Sequence, residues 1–211
     1  MTDNFSYIFK YMQDLGIVQT KDDALKTDLF FDVQLIRRGK DHPNLAAANY
    51  TFKIYYFDSL EQFEHFYDEI KKCCDMFGLR AYVSVNAKSK QEAANKTLEK
   101  YANNLVLGEY RKPWKYFSTI CGGLDGHEKR WVVDLDNCDK YSDYAREICR
   151  IICNCDSVFK DPIVTCIDTK SGCHIITHPF NMKQFKDLCE YNEIDIPDIK
   201  KNHITLLYEN L

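Results

Sequence analysis

Two carboxylates spaced by one residue close an apolar run, Arg130-Trp131-Val132-Val133-Asp134-Leu135-Asp136. In a strand, side chains at i and i+2 share a face. Asp134 and Asp136 then project together with Val132 behind them, while Trp131, Val133 and Leu135 point the other way into a core. Neighbouring carboxylates repel unless a cation lies between them, and oxygen donors suit Mg²⁺ or Mn²⁺. Further along, Thr169-Lys170-Ser171-Gly172-Cys173-His174 offers a lysine, a small-residue turn and an imidazole. Alternation after that turn separates Cys173, Ile175 and Thr177 from His174, Ile176 and His178. With Cys173 and Ile175 in the core, His174 joins the acids.

Two acids, a histidine and a Ser-Gly turn can carry phosphoryl chemistry. Paired metals clamp the attacking and leaving oxygens of an in-line displacement. His174 and Lys170 can hold a triphosphate, and the Ser171-Gly172 turn lets backbone amides approach a phosphate. Each piece alone has a plainer reading: a solvated strand end, a structural histidine, an ordinary hairpin turn. Their coincidence on one expected surface points to a site.

The elements that position these residues read as two series. Phe5, Ile8, Phe9, Met12 and Leu15 form a helical stripe, and Leu29 to Ile36 reads as a strand running into the charged turn Arg37-Arg38-Gly39-Lys40-Asp41-His42-Pro43. Phe52 to Phe57 is a strand. Ser59-Leu60-Glu61-Gln62 opens a helix as a capping box, and Gly78 is its stop. Arg80 to Asn86 is a second strand, and Ser89-Lys90-Gln91-Glu92 caps a second helix. Residues 108–129, rich in glycine, proline and charge, show no long periodicity and mark a boundary. The expected domains are therefore an N-terminal αβ module, residues 1–126, and a second module, residues 127–211.

In that second module Arg130–Asp136 is a strand, Tyr141–Cys155 a helix, and Ile163–Asp168 and Cys173–Thr177 a hairpin. A helix from Asn181 follows, and Ile204–Glu209 is the closing strand. This βαββαβ order is that of an RRM-like, ferredoxin-like fold, a four-stranded antiparallel sheet with two helices on one face, so the fold class is α+β.

The 211 residues suit one large or two small modules. The net charge of -4 argues against a generally basic nucleic-acid coat but leaves room for a local basic groove. Without a membrane-length apolar run or a secretory pattern, the expectation is a soluble, cytoplasmic protein with no membrane partner. The ten cysteines then read as reduced, mostly buried thiols. Basic candidates for phosphate contacts are Arg80, Arg37 and Arg38. Tyr110, Trp114, Tyr116 and Phe117 interleave with Arg111, Lys112 and Lys115, a pattern suited to stacking single-stranded bases.

Val132-Val133-Asp134-Leu135-Asp136 resembles the first motif, hhDhD/E, of the archaeo-eukaryotic primase superfamily. Ser171-Gly172-Cys173-His174-Ile175-Ile176 resembles its second, a small-residue turn followed by a histidine on a strand. The run from Lys170 to Phe180 is similar to small phage-type or bacterial members, which implies a bacterial cytoplasm, or a host's if phage-encoded. The resemblance implies an RRM-like catalytic module packed on an N-terminal αβ module. It also implies template-directed nucleotidyl transfer in DNA replication or repair, with Mg²⁺ or Mn²⁺.

By this resemblance Asp134 and Asp136 bind metal and His174 meets the phosphates of the incoming nucleotide. Implied partners are nucleoside triphosphates, a single-stranded template and a helicase or other replication protein. The family's third acid has three candidates here: Asp168, Asp198 and Glu209. The alternatives are a catalytically silent nucleotide or nucleic-acid binder, such as a phage accessory protein, and a metal-dependent nuclease.

Overall fold

The computed structural model describes residues 1–42, 48–110 and 112–210; Pro43 of the charged turn and Arg111 of the basic-aromatic segment lie outside the described residues. The chain opens with β1 (Thr2–Asp3), α1 (Phe5–Asp14) and the single-turn α2 (Lys21–Ala24). β2 (Leu29–Arg37), β3 (Tyr50–Phe57), α3 (Leu60–Phe77), β4 (Arg80–Ser84) and β5 (Lys88–Ser89) follow. Next come α4 (Lys90–Val106), α5 (Pro113–Gly123), β6 (Trp131–Asp136), α6 (Asp143–Cys153), β7 (Ile163–Asp168) and β8 (Gly172–Thr177). α7 (Met182–Tyr191), β9 (Asp198–Lys201) and β10 (Ile204–Glu209) complete the order.

The helix starts follow local chemistry. Ser59, Ser89, Ser142 and Asn181 each accept a backbone N–H from the first turn of the helix they precede, satisfying donors that a helix start leaves unpaired. Gly78 ends α3 at φ 59°, a left-handed turn that suits glycine.

Two sheets result. The first has the order β1-β10-β4-β2-β3, with β5 paired to β2, and the second has the order β7-β8-β6-β9. All named pairings are antiparallel. The helix-facing side of the second sheet packs Val133, Leu135, Cys173 and Ile175 on Ile148, Ile151 and Ile152 of α6 and Phe185 of α7. Its other side gives Val132, Ile167 and Ile176 to a core shared with Ile8 and Met12 of α1, Val33 of β2, Val83 of β4 and Leu207 of β10. The apolar part of that open face is thus covered by the first sheet and α1. Reciprocal bonds fasten the seam: Arg130 N donates to Asn86 Oδ1 (2.8 Å), and Asn86 Nδ2 donates to the Arg130 carbonyl (3.3 Å).

Two expectations are corrected. Ile204–Glu209 does not close the second sheet: as β10 it pairs with β4 in the first, and β9 closes the second beside β6. β9 is short and charged, Asp198-Ile199-Lys200-Lys201, as edge strands that must not recruit neighbours are. β10 is apolar and almost wholly buried between β1 and β4. The segment expected to be irregular also contains a helix, α5, with Pro113 at its first turn, where the missing N–H costs nothing. Its buried Tyr116 and Cys121 are five residues apart, flanked by partly buried Phe117 and Ile120.

Gly172 has a different necessity from the one its turn suggests. A Cβ there would lie 1.9 Å from the Leu135 carbonyl oxygen, because Gly172 faces Asp136 across the β6–β8 ladder. Glycine is required by the approach of the neighbouring strand. Gly172→Ala is expected to destabilise the fold by about 2–3 kcal/mol, the cost of an overpacked site whose neighbour is backbone. Denaturant unfolding would read this, and an unchanged midpoint would contradict it.

Candidate active site

Asp134, His174 and Asp198 form one row across three strands: Asp134 faces His174 on β8 and Asp198 on β9. Behind that row stands another, Ile176, Val132 and Lys200. His174 Nε2 lies 3.2 Å from Asp134 Oδ1, and Lys200 Nζ lies 2.5 Å from Asp134 Oδ2. Lys200 also reaches Asp198 Oδ2 at 3.5 Å. These contacts follow from strand pairing and from a long lysine leaning across one row spacing.

The imidazole is held from both ends. A carboxylate only accepts, so Nε2 carries a proton and donates to Asp134. Nδ1 lies 2.9 Å from the hydroxyl of Thr205, a fully buried residue of β10. In the neutral ring Nδ1 accepts that hydroxyl's proton; in the charged ring it donates. The orienting group for a histidine of the second sheet thus comes from a strand of the first. The His174 hydrogen bond and then the Lys200 contact outweigh partial burial and hold Asp134 well below the usual carboxylate range. Lys200 is raised: burial opposes its charge, but the bonds to Asp134 and Asp198 prevail.

Asp136 shares the face of Asp134 and sits exposed at the end of β6. Of the three further acids, Asp198 stands next to Asp134, while Asp168 is bonded to Lys140 at 2.7 Å. Glu209 is buried beside Arg80, Oε2 to Nε 3.4 Å.

The basic candidates divide. Lys170, in the turn before β8, and Arg80, at the start of β4, converge on one oxygen, Asp41 Oδ1, at 3.3 and 2.6 Å. The Arg80, Asp41 and Glu209 side chains are only 5%, 7% and 2% exposed. Burial opposes the charge of both Arg80 and Asp41, but their mutual bond raises the one and lowers the other. Arg37 and Arg38 are not drawn to Asp134: their guanidinium groups lie over Tyr50 and Tyr82, at 5.7 and 5.8 Å from the ring centroids. Ser171 is exposed, and its carbonyl accepts the Asn137 N–H at 2.6 Å.

The basic-aromatic segment also divides. Tyr116 is buried, and Phe117 packs on Phe30 and Tyr56. Tyr110 and Trp114 remain exposed, with Lys112 Nζ 4.9 Å from the Trp114 ring centroid.

Sequence reasoning missed Thr205 and Lys200. The signal for Lys200 was its place two residues beyond Asp198, hidden because the strand reads as a charged loop. Thr205 could only be found by knowing which sheet takes β10.

Among the described residues no three His, Cys, Asp or Glu side chains surround a common point at metal-binding range, and no helix is long and apolar enough to cross a membrane. The arrangement is a Thr–His–Asp chain, its Thr and His buried and its Asp half-buried, with Lys200 as the cation between Asp134 and Asp198. Comparisons of the chain with protein-family models, with curated proteins and with solved structures give no match.

Proposed function

We propose that the chain is a primase-like nucleotidyltransferase whose second sheet, with α6 and α7, is an RRM-like catalytic module. The observation that carries this reading is the meeting of Asp134 and His174 on the open face of that sheet, at its seam with the first. A nucleotide 3′-hydroxyl attacks the α-phosphorus of a nucleoside triphosphate, the bond to the bridging oxygen breaks, and pyrophosphate leaves, directed by a single-stranded template. His174 borders the phosphates through the carboxylate it orients, and Lys170 and Arg80 reach them when they release Asp41.

The donor types fit a divalent ion: Asp134, Asp136 and Asp198 offer oxygens of the kind Mg²⁺ and Mn²⁺ take. They do not stand preassembled, because Lys200 holds Asp134 Oδ2; Asp134 and Asp136 would hold the ion once Lys200 swings away. When bound, the ion offsets phosphate charge and eases deprotonation of the attacking hydroxyl. The test is metal-dependent nucleotide incorporation on a primed or unprimed single strand.

Thr205 is a positioning residue in this reading. Thr205→Val keeps the volume and removes the partner of His174 Nδ1. It is expected to lower kcat by about 10–100-fold, the weight of a buried ring nitrogen left without its hydrogen-bond partner. KM should change little, and Thr205→Ser should restore most of the rate. A purely structural role predicts loss of melting temperature with kcat unaltered.

A second reading, a catalytically silent nucleotide or strand binder, is favoured by one observation: Lys200 already neutralises Asp134. It predicts binding that is indifferent to Mn²⁺ and survives loss of both acids.

A further inference from the structure

We infer that the chain carries a second binding site, a slot for the imide edge of a uracil or thymine ring, on the first sheet. A half-open cavity of about 210 Å³ is lined by Phe30, Tyr56, Phe117, Asp58, Gln62 and Lys90. That is room for one ring, below the about 300–1,000 Å³ of drug-sized ligand sites. Four aromatic residues line it, Phe57 among them: Phe30 and Phe117 lie 6.4 Å apart at 25°, and Tyr56 meets Phe117 edge-on at 5.0 Å. Such faces accept a flat heterocycle whatever its substituents.

The polar end selects among them. Asp58 Oδ1 is buried with no hydrogen-bond partner, a cost of about 1–3 kcal/mol unless a donor arrives. Lys90 Nζ spends one N–H on the Ala24 carbonyl (2.6 Å) and another on Asp58 Oδ2 (3.4 Å), leaving a third. The Gln62 amide oxygen faces the Asp58 N–H at 3.5 Å, leaving its NH₂ as a donor.

The lining therefore offers donor, acceptor, donor from Lys90, Asp58 and Gln62. Its complement is acceptor, donor, acceptor: a ring N–H flanked by two carbonyls. Uracil and thymine carry that edge, whereas cytosine and adenine do not. A cation, the other ligand of aromatic cages, is disfavoured by the Lys90 ammonium.

The slot shares no residue with the Asp134–His174 site, so it stands whether or not the chain transfers nucleotides. Its ring can come from a free nucleoside or from a base in a strand. The experiment titrates the full chain by calorimetry with uridine, thymidine, cytidine, 3-methyluridine and a short oligothymidylate. Uridine and thymidine, or oligothymidylate alone if the source is a strand, should bind saturably. 3-Methyluridine and cytidine should bind at least about tenfold more weakly, the weight of one hydrogen bond to a charged group. Asp58→Ala and Phe117→Ala should weaken binding similarly while the circular dichroism spectrum is kept, and Asp134→Ala should leave it unchanged. The inference is overturned if 3-methyluridine matches uridine, or if no pyrimidine or oligothymidylate binding depends on Asp58. The methylated-ligand arm needs no variant to fold.

Discussion

Replacing Asp134 and Asp136 together by alanine is expected to lower metal-dependent nucleotide incorporation by more than about 100-fold, because losing even an outer partner of a metal ligand costs 10–100-fold. The two side chains share the face of β6 that also meets His174, so their loss removes all oxygen donors that this strand gives the site. The folded protein should survive. Asp136 is exposed, and the side chains left behind keep partners: Lys200 retains Asp198, and His174 retains Thr205. A primer-extension gel beside a thermal melt separates the outcomes. Lost extension with a melting temperature held within a few degrees supports the reading, and undiminished extension contradicts it.

The second large effect concerns stability. Arg80 lies between two buried carboxylates, Asp41 and Glu209. Arg80→Met leaves Glu209 without its cation and Asp41 with only the longer contact to Lys170, and breaking a buried ion pair from one side costs about 3–5 kcal/mol. For a chain of this size that is a fall of about 6–20 °C in Tm, read by calorimetry. Removing all three charges, as Arg80→Met with Asp41→Asn and Glu209→Gln, should recover much of the loss, since a buried network replaced as a whole is often nearly neutral. If Arg80→Met melts like the parent, the buried cluster does not bear on stability.

Much of the local structure was legible because it is written in neighbouring residues. The alternation that sends Val133 and Leu135 to α6, and Val132 and Asp134 to the other face, is a period of two within one strand. Ser59 and Ser89 announce their helices three residues ahead of the N–H groups they accept. The failures are long-range. β9 looks like a polar loop because a sheet edge tolerates charge, and β10 looks like the natural closing strand because it is apolar. Only the three-dimensional pairing of Thr205 with Val83 assigns β10 to the first sheet.

The site itself was half legible. Asp134, Asp136 and His174 share an alternation pattern, whereas Lys200 and Thr205 arrive from strands that the sequence had misplaced. Gly172 has a second cause that the sequence did not show: its lack of a side chain admits the Leu135 carbonyl. Tyr116 was noticed as a stacking group, but α5 turns it into the core.

The most direct test of the central claim is a crystal soaked with Mn²⁺ and a nucleoside triphosphate, measured for anomalous scattering. The expected result is a peak beside Asp134 and Asp136, with Lys200 turned away from Asp134 and His174 still bonded to Thr205. Ordered nucleotide with no peak at those acids, and Lys200 still seated on Asp134, would contradict it.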